Sequence, residues 1–321
     1  MEQAGVLLAL CALVFQISGE NVLFLYPNAS PSHKNIGVPI MVGLAERGHN
    51  VTVVSSFKTE PHKNIRDIHP IKNFDYFDPQ TTTLDVRRRG VWGMVFMDWS
   101  PTFSGCRQTY EDPEFQELLN QKFDLVLMDA FANECLLGLI YKLGAPFIYV
   151  SPLPVPGYIS SHVGNRLLPS TVPIFMSDAG RQMSFVERLT SLVLYVLGTW
   201  GFRRPLSDHE VIYREYLGND IPPADEILAN MSLILSNSHF SYNSPRPTLP
   251  DVVEIGAIHC RPGRPLPKVA YLVTYYFRKG LYSRYTVTTS ILSGTGKIHK
   301  RGKGRCHTLQ LRLHRSAPRD A

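Results

Sequence analysis

A strand, a helix and a second strand follow one another at the start of the chain, and this order limits the fold more than any other feature. The run Asn21–Tyr26 predicts a buried strand, and "NIGVPIMVGLAER" predicts a helix over Asn35–Arg47 that Gly48 can end. Val51–Ser55 predicts the next strand. Together they form a βαβ unit with a right-handed crossover, so the sequence predicts a parallel sheet.

The alternation of strands and helices continues along the chain. Gly144 can end a helix over Asn133–Leu143, and Ser207 with Glu210 has the spacing of a capping box before "DHEVIYREYL". Further strands are predicted over residues 123–128, 146–150, 232–236 and 251–256. The pattern predicts an open α/β sheet with helices on both faces.

Two polar residues lie where such a sheet binds ligands, outside the carboxyl ends of its strands. His33 follows the first strand and falls in the first turn of the next helix if Ser32 is its N-cap, and Asp129 ends the strand "FDLVLM". A helix N-terminus disfavours positive charge, so we expect a neutral imidazole that can act as a general base, supported by the carboxylate. The alternative is that both residues only cap local structure.

Several kinds of site are not indicated. Neither a G-x-G-x-x-G nor a Walker loop follows the first strand, which argues against dinucleotide binding there. The cysteines beyond the N-terminal segment are scattered, so neither a zinc site nor a disulfide scaffold is expected. They are Cys106, Cys135, Cys260 and Cys306.

The N-terminus is typical of a secretory protein. An apolar block followed by Ser18 and Gly19 predicts a signal peptide over residues 1–19. Three N-x-S/T sequons, at Asn28, Asn50 and Asn230, are candidate glycosylation sites and agree with a lumenal or secreted chain.

Two later segments have open interpretations. Helical spacing of apolar residues over Phe185–Trp200 fits a helix packed on the core, or one lying in a membrane interface as a peripheral contact. The loop Ser151–Thr171 is rich in proline and long enough to suggest a functional role.

The basic charge belongs to the C-terminal stretch. Residues 268–321 hold 12 of the 33 Lys+Arg and one of the 27 Asp+Glu, which leaves 21 basic against 26 acidic residues in 1–267. The body is therefore mildly acidic, and no nucleic-acid partner is expected for it. The stretch after Pro267 predicts a disordered tail, or alternatively a polyanion-binding arm.

Four stretches, in the same order along the chain, resemble the UDP-glycosyltransferases, the family that includes the UDP-glucuronosyltransferases. Their sequence is most similar to that of the arthropod members. The first runs from Tyr26 to Ser55 and holds "PNASPSHK"; the others are "FDLVLMDAF", "LGAPFIYVSP" and the stretch Asn230–Pro267 that begins "NMSLILSNS". They cover most of the segment between Glu20 and Pro267.

The resemblance implies a GT-B fold, with a Rossmann-like acceptor-binding domain over 20–267 facing a domain that binds a UDP-sugar. It implies inverting transfer of a glucosyl or glucuronosyl group to a hydroxyl of a small lipophilic acceptor, without cofactor or metal. The family forms oligomers in some cases. In this chain the resemblance implies His33 as catalytic base, Asp129 as its supporting acid, and acceptor contacts at Ser32, Phe131, Ser151 and Pro152.

The resemblance ends at Pro267, before the donor-binding half and the membrane anchor of the family. We expect no donor site in this chain and no sugar transfer by it alone. Two interpretations stay open: an incomplete record of a glycosyltransferase, or a truncated isoform that binds lipophiles or a partner without catalysis. The expected location is the endoplasmic reticulum lumen or outside the cell.

Overall fold

The computed structural model describes residues 19–71, 96–174, 182–241 and 245–261, with short further pieces at 88, 92–93, 243, 285–287, 297–300 and 307–310. The chain divides into two compact units, Met1–Cys260 and Arg261–Ala321. Nearly all of the predicted signal peptide, and Cys306, lie outside the described residues.

Seven parallel strands form the sheet of the first unit, in the order β3-β2-β1-β4-β5-β6-β7. The strands are β1 Asn21–Tyr26, β2 Asn50–Ser55, β3 Ile65–Ile68, β4 Leu125–Asp129, β5 Phe147–Ser151, β6 Leu233–Ser236 and β7 Val252–Glu254. The order reverses between β1 and β4. Because neighbouring connections leave in opposite directions at such a point, a crevice opens outside the carboxyl ends of these two strands.

The helices connect successive strands. They are α1 Pro31–Glu46, α2 Ser100–Glu111, α3 Pro113–Gln116, α4 Leu137–Leu143, α5 Gly157–Ser160, α6 Phe185–Arg203, α7 Leu206–Leu217 and α8 Ala224–Leu228. Short 3₁₀ turns cover Glu117–Asn120, Glu134–Leu136 and Ser161–Val163.

Both faces of the sheet are covered, which confirms the predicted α/β architecture. Alternate residues of β1 point to opposite sides: Phe24 packs in one apolar cluster with Met41 of α1, and Leu23 packs in the other with Leu139 of α4. All four of these side chains are fully buried. This two-sided burial explains why the strands are continuous apolar runs in the sequence.

Two predicted helix starts are wrong. Helix α1 begins at Pro31 with Ser30 as its N-cap, so Ser32 is not the cap; proline is well suited to the first helical position. Ser207 and Glu210 form no capping box, because α7 already begins at Leu206. A capping box does exist one helix earlier, between Ser184 and Glu187 of α6.

A disulfide joins Cys106 of α2 to Cys135 in the turn after β4. No disulfide was expected from the spacing of the cysteines. The two residues are 29 positions apart and share no spacing signature, so only the fold reveals that α2 lies beside this turn. Cys260 is a free and exposed cysteine.

Helix α6 does not pack its apolar side on the core, which contradicts the first of the two interpretations given for it. Its buried residues are Ser191 and Gly201. The apolar side chains of the opposite face are exposed: Phe185, Val186, Leu189, Leu192, Val193, Val196 and Trp200. Among the described helices, none is long and apolar enough to cross a membrane.

The second unit contains three short strands, β8 Tyr285–Val287, β9 Lys297–Lys300 and β10 His307–Gln310, paired antiparallel in the order β10-β9-β8. The disordered tail expected over 268–321 stays a prediction.

Candidate active site

His33 and Asp129 lie together at the carboxyl ends of β1 and β4. His33 is the third residue of α1, which starts after the turn that follows β1, and Asp129 is the last residue of β4. The His33 Nδ1 atom is 3.1 Å from the Asp129 Oδ2 atom, and the two side chains are 18% and 1% exposed. The pair that the sequence predicted is therefore formed, and it opens to the crevice on its histidine side.

The pKa of His33 shifts upward, opposite to the direction expected from a helix N-terminus. Burial lowers the pKa of His33, but the charge of Asp129 and the hydrogen bond to it raise that pKa by more, so it lies above its ordinary value. Burial raises the pKa of Asp129, which the charge and hydrogen bond of His33 oppose. A buried carboxylate in direct contact with the imidazole therefore outweighs the effect of burial on the pKa of His33.

Asn133 holds the carboxylate from the other side, a role that was not predicted from the sequence. Its Nδ2 atom donates to Asp129 Oδ2 over 3.2 Å and to the carbonyl oxygen of Phe131 over 2.8 Å. Its Oδ1 atom accepts from the backbone N–H of Asn28 over 3.0 Å. Because a backbone N–H can only donate, this contact fixes the orientation of the amide and points its donors at Asp129.

Asn28 connects the loop after β1 to the loop after β4 by hydrogen bonds. Its side chain is not available for glycosylation in the fold. Its side chain is buried, and Nδ2 donates to the carbonyl oxygens of Ala132 over 2.8 Å and Thr102 over 3.3 Å. The glycan acceptor nitrogen is thus already used, which corrects this candidate. Asn50 and Asn230 are exposed and stay predictions.

Aromatic rings extend from the histidine into the crevice. The Phe131 ring meets His33 edge-on with centroids 5.6 Å apart, and Phe202 of α6 lies 6.1 Å from Phe131. Tyr158 stacks on Phe202 at 4.8 Å. Trp99 contacts both phenylalanines, at 5.7 and 5.8 Å. The arrangement forms an apolar wall that can pack against a flat lipophilic molecule.

An apolar cavity adjoins this wall. It has an empty volume of about 690 Å³, partly open to solvent, and Phe202 and Tyr158 belong to both the wall and the cavity. Much of its lining comes from the loop after β5, including Pro154, Val155 and Leu167. The proline-rich loop Ser151–Thr171 therefore lines part of this apolar cavity, and its functional role stays a prediction.

The other residues predicted as acceptor contacts from the resemblance form hydrogen bonds within the protein. Ser32 is exposed, and its hydroxyl lies 2.9 Å from that of Ser30. Ser151 is buried and donates to the carbonyl oxygen of Leu153 over 2.7 Å. The carbonyl oxygen of Pro152 accepts from Asn237. Phe131 alone among these four candidates packs on the His33 ring, and the acceptor contacts of all four stay predictions.

A second buried pair lies beside the first. Glu134 borders a neighbouring cavity, and burial raises its pKa to about 7. Its Oε2 atom is 3.8 Å from Nδ1 of the fully buried His209, whose pKa burial lowers to about 3. His209 is therefore uncharged near neutral pH, whereas Glu134 is about half protonated at pH 7. Among the described residues, no cluster of three or more His, Cys, Asp or Glu side chains could hold a metal ion.

The chain resembles known proteins over most of its length. Residues 92–275 match the family model described as UDP-glucoronosyl and UDP-glucosyl transferase, a match that runs slightly past Pro267. UDP-glucosyltransferase 2 of Dactylopius coccus is 31% identical over 83% of this chain and 53% of its own length. UDP-glucuronosyltransferase 2B16 of Oryctolagus cuniculus is 29% identical over 71% of this chain and 48% of its own length. The chain spans about half the length of these relatives.

Two solved structures also align with the chain. The glycotransferase of kitacinnamycin has a TM-score of 0.40 at 13% identity, over 78% of this chain and 54% of that one. The calicheamicin glycosyltransferase CalG4 has a TM-score of 0.37 at 15% identity, over 75% of this chain and 53% of that one.

Proposed function

The chain belongs to the UDP-glucoronosyl and UDP-glucosyl transferase family, and from that membership we propose that it supplies the acceptor site and the general base of a hexosyl transfer. The donor is a UDP-sugar, and the acceptor is a hydroxyl of a small lipophilic molecule. The observation that carries this proposal is the 3.1 Å contact between His33 Nδ1 and Asp129 Oδ2 at the edge of an apolar crevice.

The tautomer of His33 follows from its partner. An ionised carboxylate can only accept hydrogen bonds, so Nδ1 carries the proton and Nε2 has a free electron pair. Nε2 takes the proton from the acceptor hydroxyl, and at the same time the oxygen of that hydroxyl forms a bond to the anomeric carbon of the sugar. The bond from that carbon to the UDP oxygen breaks, and UDP leaves from the opposite face, which inverts the centre. Asp129 stabilises the imidazolium that results.

The acceptor lies against the aromatic wall in this proposal. Phe131 contacts the base itself, and Phe202 continues the wall into the cavity, so an apolar ring system placed there brings its hydroxyl toward His33. The apolar contact area between the wall and such a ligand fixes how the ligand lies in the site. A single polar group then determines which of its atoms reacts.

A titration of the purified chain with 2-naphthol tests the proposal. Naphthol binding should shift the imidazole resonances of His33 in nuclear magnetic resonance spectra, and His33→Gln should leave the calorimetric affinity within about threefold, because the wall supplies most of the contact area. Naphthol binding that leaves the His33 resonances unmoved would contradict the proposal. The same titration with UDP-glucose addresses the alternative function: binding of naphthol without UDP-glucose favours a lipophile-binding role without catalysis.

We also propose a lumenal or extracellular location with a peripheral membrane contact through α6. The disulfide between Cys106 and Cys135 supports an oxidising compartment. The exposed apolar face of α6 is flanked by Arg188 and Arg204, and Arg204 lies over the Trp200 ring at 5.7 Å. Basic residues and tryptophan beside an apolar face are typical of helices that lie on a membrane surface.

A further inference from the structure

One positive charge stands in the wall of the apolar cavity. Arg246 lines the space together with Val155, Tyr158 and Phe202, and it is the only residue among the described lining residues that carries a formal charge. Its Nη1 atom donates to the carbonyl oxygen of Val155 over 3.2 Å, which holds the side chain against the loop after β5.

The guanidinium is poorly compensated in this position. Among the described residues, no carboxylate lies within 4.0 Å of it, and its buried Nε has no hydrogen-bond partner. Glu254 acts on Arg246 through its charge, but its Oε1 atom already accepts from Ser238 over 2.8 Å. Burial lowers the pKa of Arg246, which expresses the cost of holding this charge beside apolar groups.

We infer that the cavity binds lipophilic acceptors that carry a carboxylate, with Arg246 as the group that recognises it. The inference rests on the proposed acceptor site and names the class of molecule that this site selects. The carboxylate anchors the end of the molecule remote from the reacting hydroxyl.

The chemistry of the guanidinium favours this class over others. Arginine presents five N–H donors in a planar fork that matches the two oxygens of a carboxylate, and one donor of Arg246 is used by Val155. An anion in the cavity supplies the charge that the protein wall lacks, whereas a neutral amide supplies only part of the hydrogen bonding. A cationic ligand meets a like charge and is disfavoured.

A matched pair of ligands tests the inference on the purified chain. Biphenyl-4-carboxylate and biphenyl-4-carboxamide have the same size and differ in charge. By calorimetry at pH 7.5, we expect the acid to bind at least about tenfold more tightly than the amide. In Arg246→Gln the two ligands should bind equally, and Arg246→Lys, which keeps the charge without the fork, should give an intermediate preference.

Control variants and the opposite outcomes separate the inference from the proposed function. Arg166→Gln removes the same charge from an exposed position outside the described lining and should keep the preference for the acid. Thermal unfolding checks that Arg246→Gln is folded. Equal affinities in the unmodified chain, or a preference that survives Arg246→Gln, overturn the inference alone. Failure of both ligands and of 2-naphthol to bind overturns the acceptor site itself, and the inference with it.

Discussion

The Nδ1 atom of His33 lies 3.1 Å from Oδ2 of Asp129, across a sequence separation of 96 residues. The contact is possible because β1 and β4 are neighbours in the sheet, with Leu25 in register with Met128. It places the imidazole next to a carboxylate that is almost completely buried. The protonation of each residue therefore depends on the other.

The variant Asp129→Asn should lower the pKa of His33. Burial alone lowers this pKa, and the charge and hydrogen bond of Asp129 reverse the effect, so their removal should bring the pKa below 6.5. A pH titration of the imidazole resonances measures the change. A His33 pKa that stays above 6.5 in Asp129→Asn would show that the carboxylate is not the cause.

The same shift makes the native pair stabilising at low pH. Because the folded pKa of His33 is above the unfolded value, its contribution to folding is fully present below pH 6.5 and is lost as the pH rises through the folded pKa. In Asp129→Asn this contribution should reverse in sign. Urea denaturation of both proteins on either side of pH 6.5 measures the difference.

The variant Asn133→Ala should lose stability and change the histidine. It leaves the buried N–H of Asn28 without its acceptor and removes a donor from Asp129, which should lower the free energy of unfolding by about 2–4 kcal/mol. A carboxylate with one donor fewer attracts the imidazolium proton more strongly, so the pKa of His33 should rise further.

A second asparagine provides the control for Asn133. Asn64 donates from Nδ2 to the carbonyl oxygen of Ala45 over 2.9 Å, between β3 and α1 and away from the pair. Asn64→Ala should cost less and leave the His33 titration unchanged. An unchanged His33 pKa in Asn133→Ala would show that Asn133 has a structural role only and does not influence the protonation of His33.

The variant Glu134→Gln should stabilise the protein at high pH. The pKa of Glu134 rises from 4.5 unfolded to about 7 folded, so the folded state binds the proton more tightly, and stability falls as the pH rises from 4.5 to 7. The side chain is 15% exposed, so we expect a gain of about 1–3 kcal/mol at pH 8 and little gain below pH 4.5. Denaturant unfolding at the two pH values measures it, and an equal effect at both would contradict the assignment.

Removal of the disulfide should destabilise the first unit. The crosslink between Cys106 and Cys135 closes a loop with a sequence separation of 29, for which chain entropy suggests about 3.6 kcal/mol. The double variant Cys106→Ala with Cys135→Ala should show this loss in urea denaturation. Cys260→Ala, at an exposed free thiol, is the control and should change stability little. Equal stabilities would mean that the bridge does not form in solution.

The parts of the fold that the sequence predicted are those with a local signal. Apolar runs such as Asn21–Tyr26 mark strands of a parallel sheet because both faces are buried, and the βαβ order then brings His33 and Asp129 to one edge. The paired site therefore followed from two local patterns and one topological rule.

The remaining parts depend on contacts between distant segments. Arg246 reaches Val155 across 91 residues, and Asn133 reaches Asn28 across 105, with no pattern in the sequence that joins either pair. The capping box at Ser184 and Glu187 has the S-x-x-E spacing in the sequence and was predictable from it. For α6, helical periodicity identified an apolar face but could not show what covers it, because the same pattern serves a core or a membrane.

The apolar face of α6 should bind lipid vesicles. We expect the chain to co-sediment with vesicles of phosphatidylcholine and phosphatidylserine, and Val196→Glu to weaken this binding by at least about tenfold, because a charge enters the buried face. Val211→Glu is the matched control: Val211 on α7 is 61% exposed and Val196 is 58% exposed, and both variants keep the basic C-terminal stretch. Equal vesicle binding by the two variants would show that the basic C-terminal stretch, and not α6, binds the vesicles. Self-association that Val196→Glu abolishes, without vesicle binding, would show that a second copy of the chain covers this face.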